Sequence, residues 1–448
     1  MQWASRLTVA SAIVIAGACG GSTSSSNNNG QTSGDGGPTD ASLGSPDAMG
    51  DDDGGSDGAE PPDNGPWPAA HFPMPQFIDL GGNVLASPKV ITVTFVGNTN
   101  RDALRAFDDQ MLQDPWWGQV TQGYGIGAAT GGVYVELPDT VSNTTLDDTQ
   151  DIQPMIAKWV ASEALPPPDS NTLYMIYFPS TTTITLQGTT SCQYFGAYHN
   201  SGPVPLEAGT VDTAYAIMPD CGDGLPEIQL SASHELVEAS TDPHPETSTA
   251  WYGYNDAWFA TLGQTGGQGE VADVCQSSRY VTDTAGNYLS RSWSNSAAMA
   301  SQDPCQPETT GEIFFALAVP TQNAASKTVS GMTSGGYLPM KQGQTQTLDS
   351  VIFSDAQLPS DVQLTVGTKG HGALGPLGGG IIATLTPTAG HNGMHVALTI
   401  QVPMSTPSTD YPGLVRATLA TAATSVDAAP TSTHHDWPFI IRVHEATD

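Results

Sequence analysis

The sequence predicts an α+β fold in which a mixed sheet with helices is followed by an antiparallel β-sandwich. Between residues 67 and 305, β-branched and aromatic runs typical of buried strands alternate with segments whose apolar residues recur at helical spacing. After Pro304 the helical period disappears, and about seven short strand-like segments are separated by turns rich in Gly, Pro and Asn. This change predicts a first domain at 67–305 and an immunoglobulin-like domain at 306–448.

The first domain alternates predicted strands and helices. Lys89–Val96 (KVITVTFV) is a β-branched run suited to a buried strand, and apolar residues at helical spacing follow it. The predicted strands are 89–96, 133–137, 173–178 and 214–218. The predicted helices are 100–113, a segment marked by Ile152, Ile156 and Trp159, and 226–241, which Asp242 and Pro243 end.

The second domain contains only strand-like segments. They are 312–319, 347–353, 362–366, 381–386, 395–402, 414–420 and 437–443. Short strands with such regular turn signals are typical of two antiparallel sheets packed face to face.

The first 19 residues form a predicted signal peptide. Arg6 precedes the apolar run Leu7–Ala18, which is too short to span a bilayer stably. The run Ala-Gly-Ala-Cys resembles the bacterial lipobox, which implies that Cys19 becomes the lipid-modified first residue of an exported lipoprotein. An ordinary signal peptidase could cut at the same bond and leave Cys19 as a plain thiol. Gly20 stands where inner-membrane lipoproteins carry Asp, which favours the outer membrane or the cell surface.

Residues 20–66 are predicted to be a disordered acidic linker. Ser, Asn, Gly, Asp and Pro dominate this stretch, so little apolar surface is available to offset the entropy lost on ordering. The whole chain has a net charge of −33 with only 12 Lys and Arg residues. Such a chain repels phosphate backbones, which argues against nucleic-acid binding.

Four cysteines remain beyond Cys19, and an even count in an exported protein predicts two disulfides. Three pairings are open. The sequential one, Cys192 with Cys221 and Cys275 with Cys305, is the first expectation. For Cys275, the alternative to a disulfide is a role as a thiolate metal ligand.

The helix predicted at 226–241 carries the most informative pattern. At 100° per residue, one stripe about 80° wide collects polar side chains while the opposite side is apolar. A helix that is apolar around most of its circumference is buried in the core. A stripe of ionisable side chains on such a helix needs partners that form hydrogen bonds with them or neutralise their charge. The stripe consists of Glu227, Ser231, His234, Glu238 and Asp242.

A metal ion is one partner for an imidazole and a carboxylate four residues apart. His234 and Glu238 occupy the two ligand positions of an H-E-x-x-H motif, with Glu in place of the second His. Zinc accepts carboxylate oxygen, but the added charge also admits calcium or manganese. Glu270 and Asp273 are the further candidate ligands, Asp242 and His199 rank lower, and Glu235 could serve as general base.

Three sequence blocks resemble the exordium or phosphate-induced protein family of plants and its bacterial relatives. The blocks are H-E-L-V-E-A-S-T-D-P at 234–243, A-W-Y at 250–252 and E-V-A-D-V-C at 270–275, and S-C-Q-Y-F-G-A-Y-H at 191–199 matches in character. Ala250 stands where the family has Asn, and an insert at 253–269 separates the last two blocks. The likeness covers about Val84–Cys305 and implies a secreted, zincin-like module, that is, a mixed sheet with a buried HExxE helix.

Two functions are therefore weighed. One is a zincin-type metal-dependent hydrolase, most simply a peptidase with zinc. The other is a non-catalytic surface module with a structural metal, which binds glycans or proteins through an aromatic rim and the sandwich. That rim would comprise Trp116, Trp117, Trp251, Tyr252, Tyr254 and Trp258.

Structural readings of the same residues compete with both functions. His234 and Glu238 would form an i,i+4 ion pair on a solvated face, Glu270 and Asp273 would cap a turn, and His199 would be a hydrogen-bonded turn histidine. The aromatic residues would be core packing.

Overall fold

The computed structural model describes residues 65–253, 269–276, 278, 280–321, 328–329, 332–333, 337–368, 380–408, 410–418 and 434–446. Within these ranges the chain is a mixed α+β protein in which strands predominate. No helix among the described residues combines the length and apolar character that a membrane span requires. The predicted signal peptide, Cys19, nearly all of the linker, Tyr254 and Trp258 lie outside the described residues.

A five-stranded sheet forms the centre of the first region. Its strands are β2 (Lys89–Phe95), β3 (Thr130–Leu137), β5 (Thr172–Phe178), β8 (Tyr198–Leu206) and β9 (Gly209–Pro219), in the order β3-β2-β5-β9-β8. All neighbours run parallel except the hairpin of β8 and β9. Every residue of β5 is buried, as its uninterrupted apolar sequence predicts.

Five α-helices accompany this sheet and the segments after it. They are α1 (Arg101–Gln113), α2 (Pro115–Val120), α3 (Gln153–Ala161), α4 (Leu225–Thr241) and α5 (Asn295–Met299). Pro115 opens α2, where a missing N–H costs nothing, and the Asp114 side chain accepts a hydrogen bond from the Trp116 N–H. A π-helical turn, Asp148–Ile152, leads into α3.

The other strands of the first region are short. They are β1 (Ile78–Asp79), β4 (Thr145–Asp147), β6 (Thr183–Leu186), β7 (Thr189–Thr190), β10 (Trp251–Tyr252), β11 (Val281–Thr282), β12 (Tyr288–Leu289), β13 (Ser292–Trp293) and β14 (Cys305–Gln306). A single 3₁₀ turn, Asp273–Cys275, lies between β10 and β11.

The described residues of the last third of the chain form strands and turns, and each of the seven predicted segments contains a strand. Two four-stranded sheets have the orders β15-β19-β24-β22 and β18-β26-β25-β21. The strands are β15 (Phe315–Ala318), β16 (Thr328–Val329), β17 (Met332–Thr333), β18 (Tyr337–Lys341), β19 (Thr345–Ser354), β20 (Val362–Gln363), β21 (Gly367–Thr368), β22 (Ile382–Thr386), β23 (Ala389–Gly390), β24 (His395–Gln401), β25 (Asp410–Thr418) and β26 (His434–His444).

The expectation of purely antiparallel pairing is wrong for one pair. Strand β18, which the sequence pattern did not reveal, runs parallel to β26. A tight turn at Gly343, with φ of +76°, joins β18 to β19, and β19 belongs to the other sheet. Because β18 therefore does not form a hairpin within its own sheet, its direction relative to β26 is not fixed by a turn.

Buried apolar residues form one cluster on each face of the central sheet. Alternate residues of β5 point to opposite faces, so Met175 belongs to the cluster with α4 and Ile176 to the cluster with α3. The cluster that contains α1 and α4 also includes residues of the C-terminal sheets, such as Ile352 and Leu398. The helix α4 is therefore buried between the sheet and the rest of the chain.

The side chain of Asp108, on the buried face of α1, is an ionisable group in this core. Thr92 and Tyr177 each donate a hydroxyl hydrogen bond to its carboxylate. Burial nevertheless raises the pKa of Asp108 to about 7. Between about pH 4 and 7 the folded protein therefore keeps a proton on Asp108. The unfolded chain, with a carboxyl pKa of about 3.9, has already released this proton.

Because of this proton, the free energy of unfolding falls as the pH rises from about 4 to 7. Above about pH 7, Asp108 causes no further change in it. We expect Asp108→Asn to remove this part of the pH dependence, which is on the order of 4 kcal/mol for a shift of about three pKa units. Urea unfolding of both proteins at several pH values measures the difference. Asp102→Asn, on the exposed side of the same helix, is the control and should keep the wild-type slope. Equal slopes in wild type and Asp108→Asn would contradict the assignment.

Candidate metal centre

Helix α4 carries three ionisable side chains into the core. Every residue from Ala232 to Asp242 is buried, which agrees with the prediction that this helix is apolar around most of its girth. The i,i+4 spacing of His234 and Glu238 places Nε2 of the imidazole 3.1 Å from Oε1 of the carboxylate. The two side chains are 7% and 0% exposed, so the reading as an ion pair on a solvated face is wrong.

The segment 269–276 brings two more carboxylates to α4. Oδ1 of Asp273 lies 3.6 Å from Nε2 of His234. The backbone N–H groups of Ala272 and Asp273 donate hydrogen bonds to Oε1 of Glu238, at 3.2 and 3.1 Å. These bonds fix both the rotation of the Glu238 carboxylate and the position of Asp273 beside it.

Glycine is required where this segment begins. Gly269 has a φ of +83°, and a Cβ atom there would lie 2.9 Å from the ring of Tyr252. Its carbonyl accepts a hydrogen bond from the Gly253 N–H. The chain can therefore enter the core closely enough for Glu270 to be 1% exposed.

His199 belongs to the same cluster, although the sequence favoured a turn histidine. It lies in the edge strand β8 opposite Ala216, on the face that α4 covers. Its Nδ1 is 3.2 Å from Oε2 of Glu235 and 3.9 Å from Oε2 of Glu238. Its Nε2 is 3.5 Å from Oε1 of Glu270 and 3.1 Å from the carbonyl oxygen of Asp242.

Asp242 ends α4 and positions its neighbours. Its Oδ1 accepts a hydrogen bond from the Ala250 N–H, and its backbone carbonyl contacts His199. The side chain is buried, but it belongs to neither of the two groups of residues whose potential ligand atoms lie within 4.8 Å of one another. Its low rank as a ligand therefore agrees with the geometry.

The potential ligand atoms of the described residues form two groups. Within each group, all atoms lie within 4.8 Å of one another. One contains His234, Glu238 and Asp273, and the other His199, Glu235 and Glu238. Glu270 contacts His199 rather than the first group. Three of the four predicted ligands, His234, Glu238 and Asp273, therefore form one group, whereas the fourth, Glu270, belongs to neither group.

The charges of the cluster oppose one another strongly. Burial lowers the pKa of both imidazoles, but the adjacent carboxylates outweigh burial: the pKa of His199 lies above its usual value, and that of His234 well above it. Burial raises the pKa of Asp242 to about 7. The pKa of Glu270 is raised well above its usual value by burial and by the charges of Glu238 and Asp273. Without a cation, the cluster therefore holds protons instead.

The residues fit a divalent cation. Two atoms that bind one zinc ion at about 2.1 Å with a tetrahedral angle lie roughly 3.4 Å apart. The nitrogen–oxygen separations within the two groups are 3.1 to 3.9 Å. Several buried oxygens accept no hydrogen bond from the described residues: Oε1 of Glu235, Oε2 of Glu238, Oδ2 of Asp242 and both oxygens of Glu270. Such oxygens are costly in a core unless a cation contacts them.

Two disulfides hold the elements that carry the cluster. They join Cys192 to Cys221 and Cys275 to Cys305, which confirms the sequential pairing. The first links the segments that precede β8 and α4. The second follows Asp273 directly and anchors its segment to β14, so Cys275 is not a thiolate ligand.

The second bond closes a loop between residues 30 apart, for which chain entropy predicts a stabilisation of about 3–4 kcal/mol. We expect the double variant Cys275→Ser, Cys305→Ser to lose that much free energy of unfolding, measured by urea titration. The wild-type protein unfolded with reductant present is the matched control and should show a loss at least as large. An unchanged stability of the double variant would show that these sulfurs are not bonded.

Trp116 and Trp117 do not belong to the predicted aromatic rim, whereas Trp251 and Tyr252 are half-buried. Trp116 and Trp117 are 2% and 4% exposed, and their indole N–H groups donate hydrogen bonds to the carbonyls of Ser290 and Gly127. Trp251 donates to the carbonyl of Tyr124. The two tryptophans of α2 are core packing, as the structural reading of the sequence had it.

Comparison with models of known protein families finds no family that matches this chain, and comparison with curated protein sequences finds no significant match.

Proposed function

We propose that this chain is an exported metal-dependent hydrolase with a zincin-like first domain related to the exordium family. One observation carries the proposal: five carboxylates and two imidazoles lie together in the core, all at most 5% exposed. The carboxylates are Glu235, Glu238, Asp242, Glu270 and Asp273, and the imidazoles are His199 and His234. Buried charges of one sign persist in proteins when a cation or protons neutralise them.

The first ion is assigned to the group of His234, Glu238 and Asp273. Nε2, Oε1 and Oδ1 would be the ligand atoms, and nitrogen with two carboxylate oxygens suits zinc and also manganese. A bound divalent cation supplies Lewis acidity, which polarises a scissile carbonyl and makes water more acidic. The amide hydrogen bonds from Ala272 and Asp273 keep the Glu238 carboxylate in its orientation during binding.

Glu235 is assigned as the proton acceptor. His199 holds Oε2 at 3.2 Å, whereas Oε1 accepts no hydrogen bond from the described residues. An oriented carboxylate with one free oxygen can take a proton from the attacking water and pass it to the leaving group. A peptide bond is the simplest substrate for such a site, in line with the zincin resemblance.

A second candidate function is a non-catalytic surface module with a structural metal. The near-complete burial of the ligand side chains favours it, because structural sites are closed by protein ligands while catalytic sites keep a position open to water. In that case the C-terminal sheets, proposed to pack as an immunoglobulin-like sandwich, would bind a glycan or a protein. The role of Glu235 separates the two candidates.

We expect Glu235→Gln to retain the ion held by His234, Glu238 and Asp273 and to lose at least about 100-fold in hydrolytic rate, as is typical for removal of a general base. His234→Ala should lose the metal as well as the activity. Metal content by mass spectrometry and hydrolysis of a quenched peptide library measure these effects. His395→Gln, in an exposed pair with Asp349 of the C-terminal sheets, is the matched histidine control and should keep both properties.

The outcomes distinguish the candidates. Stoichiometric metal without any hydrolysis, or a Glu235→Gln variant that is fully active, would leave the structural-metal module in place of the hydrolase. A folded wild-type protein that binds no divalent cation would overturn both functions.

We also propose that Cys19 carries a lipid that anchors the protein at the outer membrane or the cell surface, with the acidic linker as a spacer. The lipobox-like run supports this, and the two disulfides suit an oxidising compartment. We expect Cys19→Ser to move the protein from the membrane fraction to the soluble fraction of an expressing bacterium, detected by immunoblot. Cys19→Ser that stays in the membrane pellet would show that the lipid is not the anchor.

A further inference from the structure

The Glu238 carboxylate lies between the two groups of ligand atoms and contributes a different oxygen to each. Oε1 is 3.1 Å from Nε2 of His234, and Oε2 is 3.9 Å from Nδ1 of His199. Oε1 is held by two backbone N–H groups, whereas Oε2 accepts no hydrogen bond from the described residues. One oxygen is therefore fixed in place and the other is left available beside His199.

We propose that the centre binds two divalent cations, with Glu238 as the carboxylate that bridges them. The inference rests on the proposed function for the first ion and adds a second site made of His199, Glu235 and Glu238. The ligand atoms of the second site are Nδ1, Oε2 and Oε2, all within 4.8 Å of one another.

The orientation of the His199 ring supports a ligand role for Nδ1. Nε2 lies 3.1 Å from the carbonyl oxygen of Asp242, and a carbonyl oxygen can only accept. If a cation is bound at Nδ1, the neutral ring carries its proton on Nε2, where the carbonyl of Asp242 accepts the hydrogen bond. A histidine that ligates a metal through one nitrogen and donates to a backbone carbonyl through the other is the usual arrangement in metalloproteins.

The charge of the cluster also favours two ions over one. One divalent cation compensates at most two of the charges that the five carboxylates carry when ionised, whereas two cations compensate four. Within the described residues, the cationic groups near these carboxylates are the two imidazoles. If both imidazoles are neutral ligands, the remaining compensation comes from cations or from carboxyl protons.

The two ions leave the proposed role of Glu235 intact. Oε2 would bind the second cation in place of its contact with His199, and Oε1 would remain free for the proton of the attacking water. Nitrogen and carboxylate ligands of this kind suit zinc or manganese rather than a soft metal.

The test is a titration of the metal-depleted full-length chain with Zn²⁺, followed by removal of free metal and mass spectrometry. Two equivalents are expected for the wild type. His199→Gln and Asp273→Asn should each retain one equivalent, because each removes a ligand of one group only. Glu238→Gln should retain less than either, and His395→Gln should retain two.

Loading with Mn²⁺ adds a measurement that needs no variant. Two ions that share one carboxylate are magnetically coupled, so electron paramagnetic resonance of the wild type should lack the pattern of isolated Mn²⁺. A single equivalent that is lost in Asp273→Asn but kept in His199→Gln would overturn the second site while preserving the first. Two equivalents that both persist in His199→Gln, or two uncoupled Mn²⁺ ions, would also overturn it. No bound metal at all would overturn the proposed function with it.

Discussion

Burying five carboxylates beside two imidazoles is the constraint on which the rest of this structure depends. Each ionised group loses its hydration in the core, and like charges raise the cost further. Three features hold this arrangement together. They are the apolar surface around most of α4, the close approach of the chain to the core at Gly269, and the two disulfides. A sequence that needed only a stable core would place apolar residues at these positions, because they would be at least as stabilising.

The sequence predicts what is local in this arrangement. The spacing of His234 and Glu238 follows from helical geometry, and the strands with uninterrupted apolar runs follow from burial on both faces. The sequential disulfides were one of three open pairings. The predicted sequential pairing is confirmed. Each bond closes a loop of about 30 residues and joins segments that lie next to the same cluster.

His199 ranked low as a candidate ligand because the sequence of its strand is not typical of a strand. Strand β8 contains Gly202, Pro203 and Pro205 directly after Asn200 and Ser201, residues that normally indicate a turn. An edge strand tolerates them, since one side of its backbone has no partner in the sheet. The contact of His199 with α4 also depends on the pairing of β8 with β9, which no local pattern reveals.

The opposite face of the same sheet shows how this chain satisfies a buried carboxylate, that of Asp148, with neutral donors. Tyr198 and Tyr215 donate to Oδ1 of Asp148, and Gln153 and Asn200 donate to Oδ2, so both oxygens are satisfied by neutral groups. Tyr198 precedes His199 in β8, and alternation sends their side chains to opposite faces. On the α4 face, the oxygens of Glu270 have no such donors among the described residues. Because this chain surrounds Asp148 with hydroxyl and amide donors but not Glu270, the Glu270 carboxylate needs either a proton or the cation that we propose.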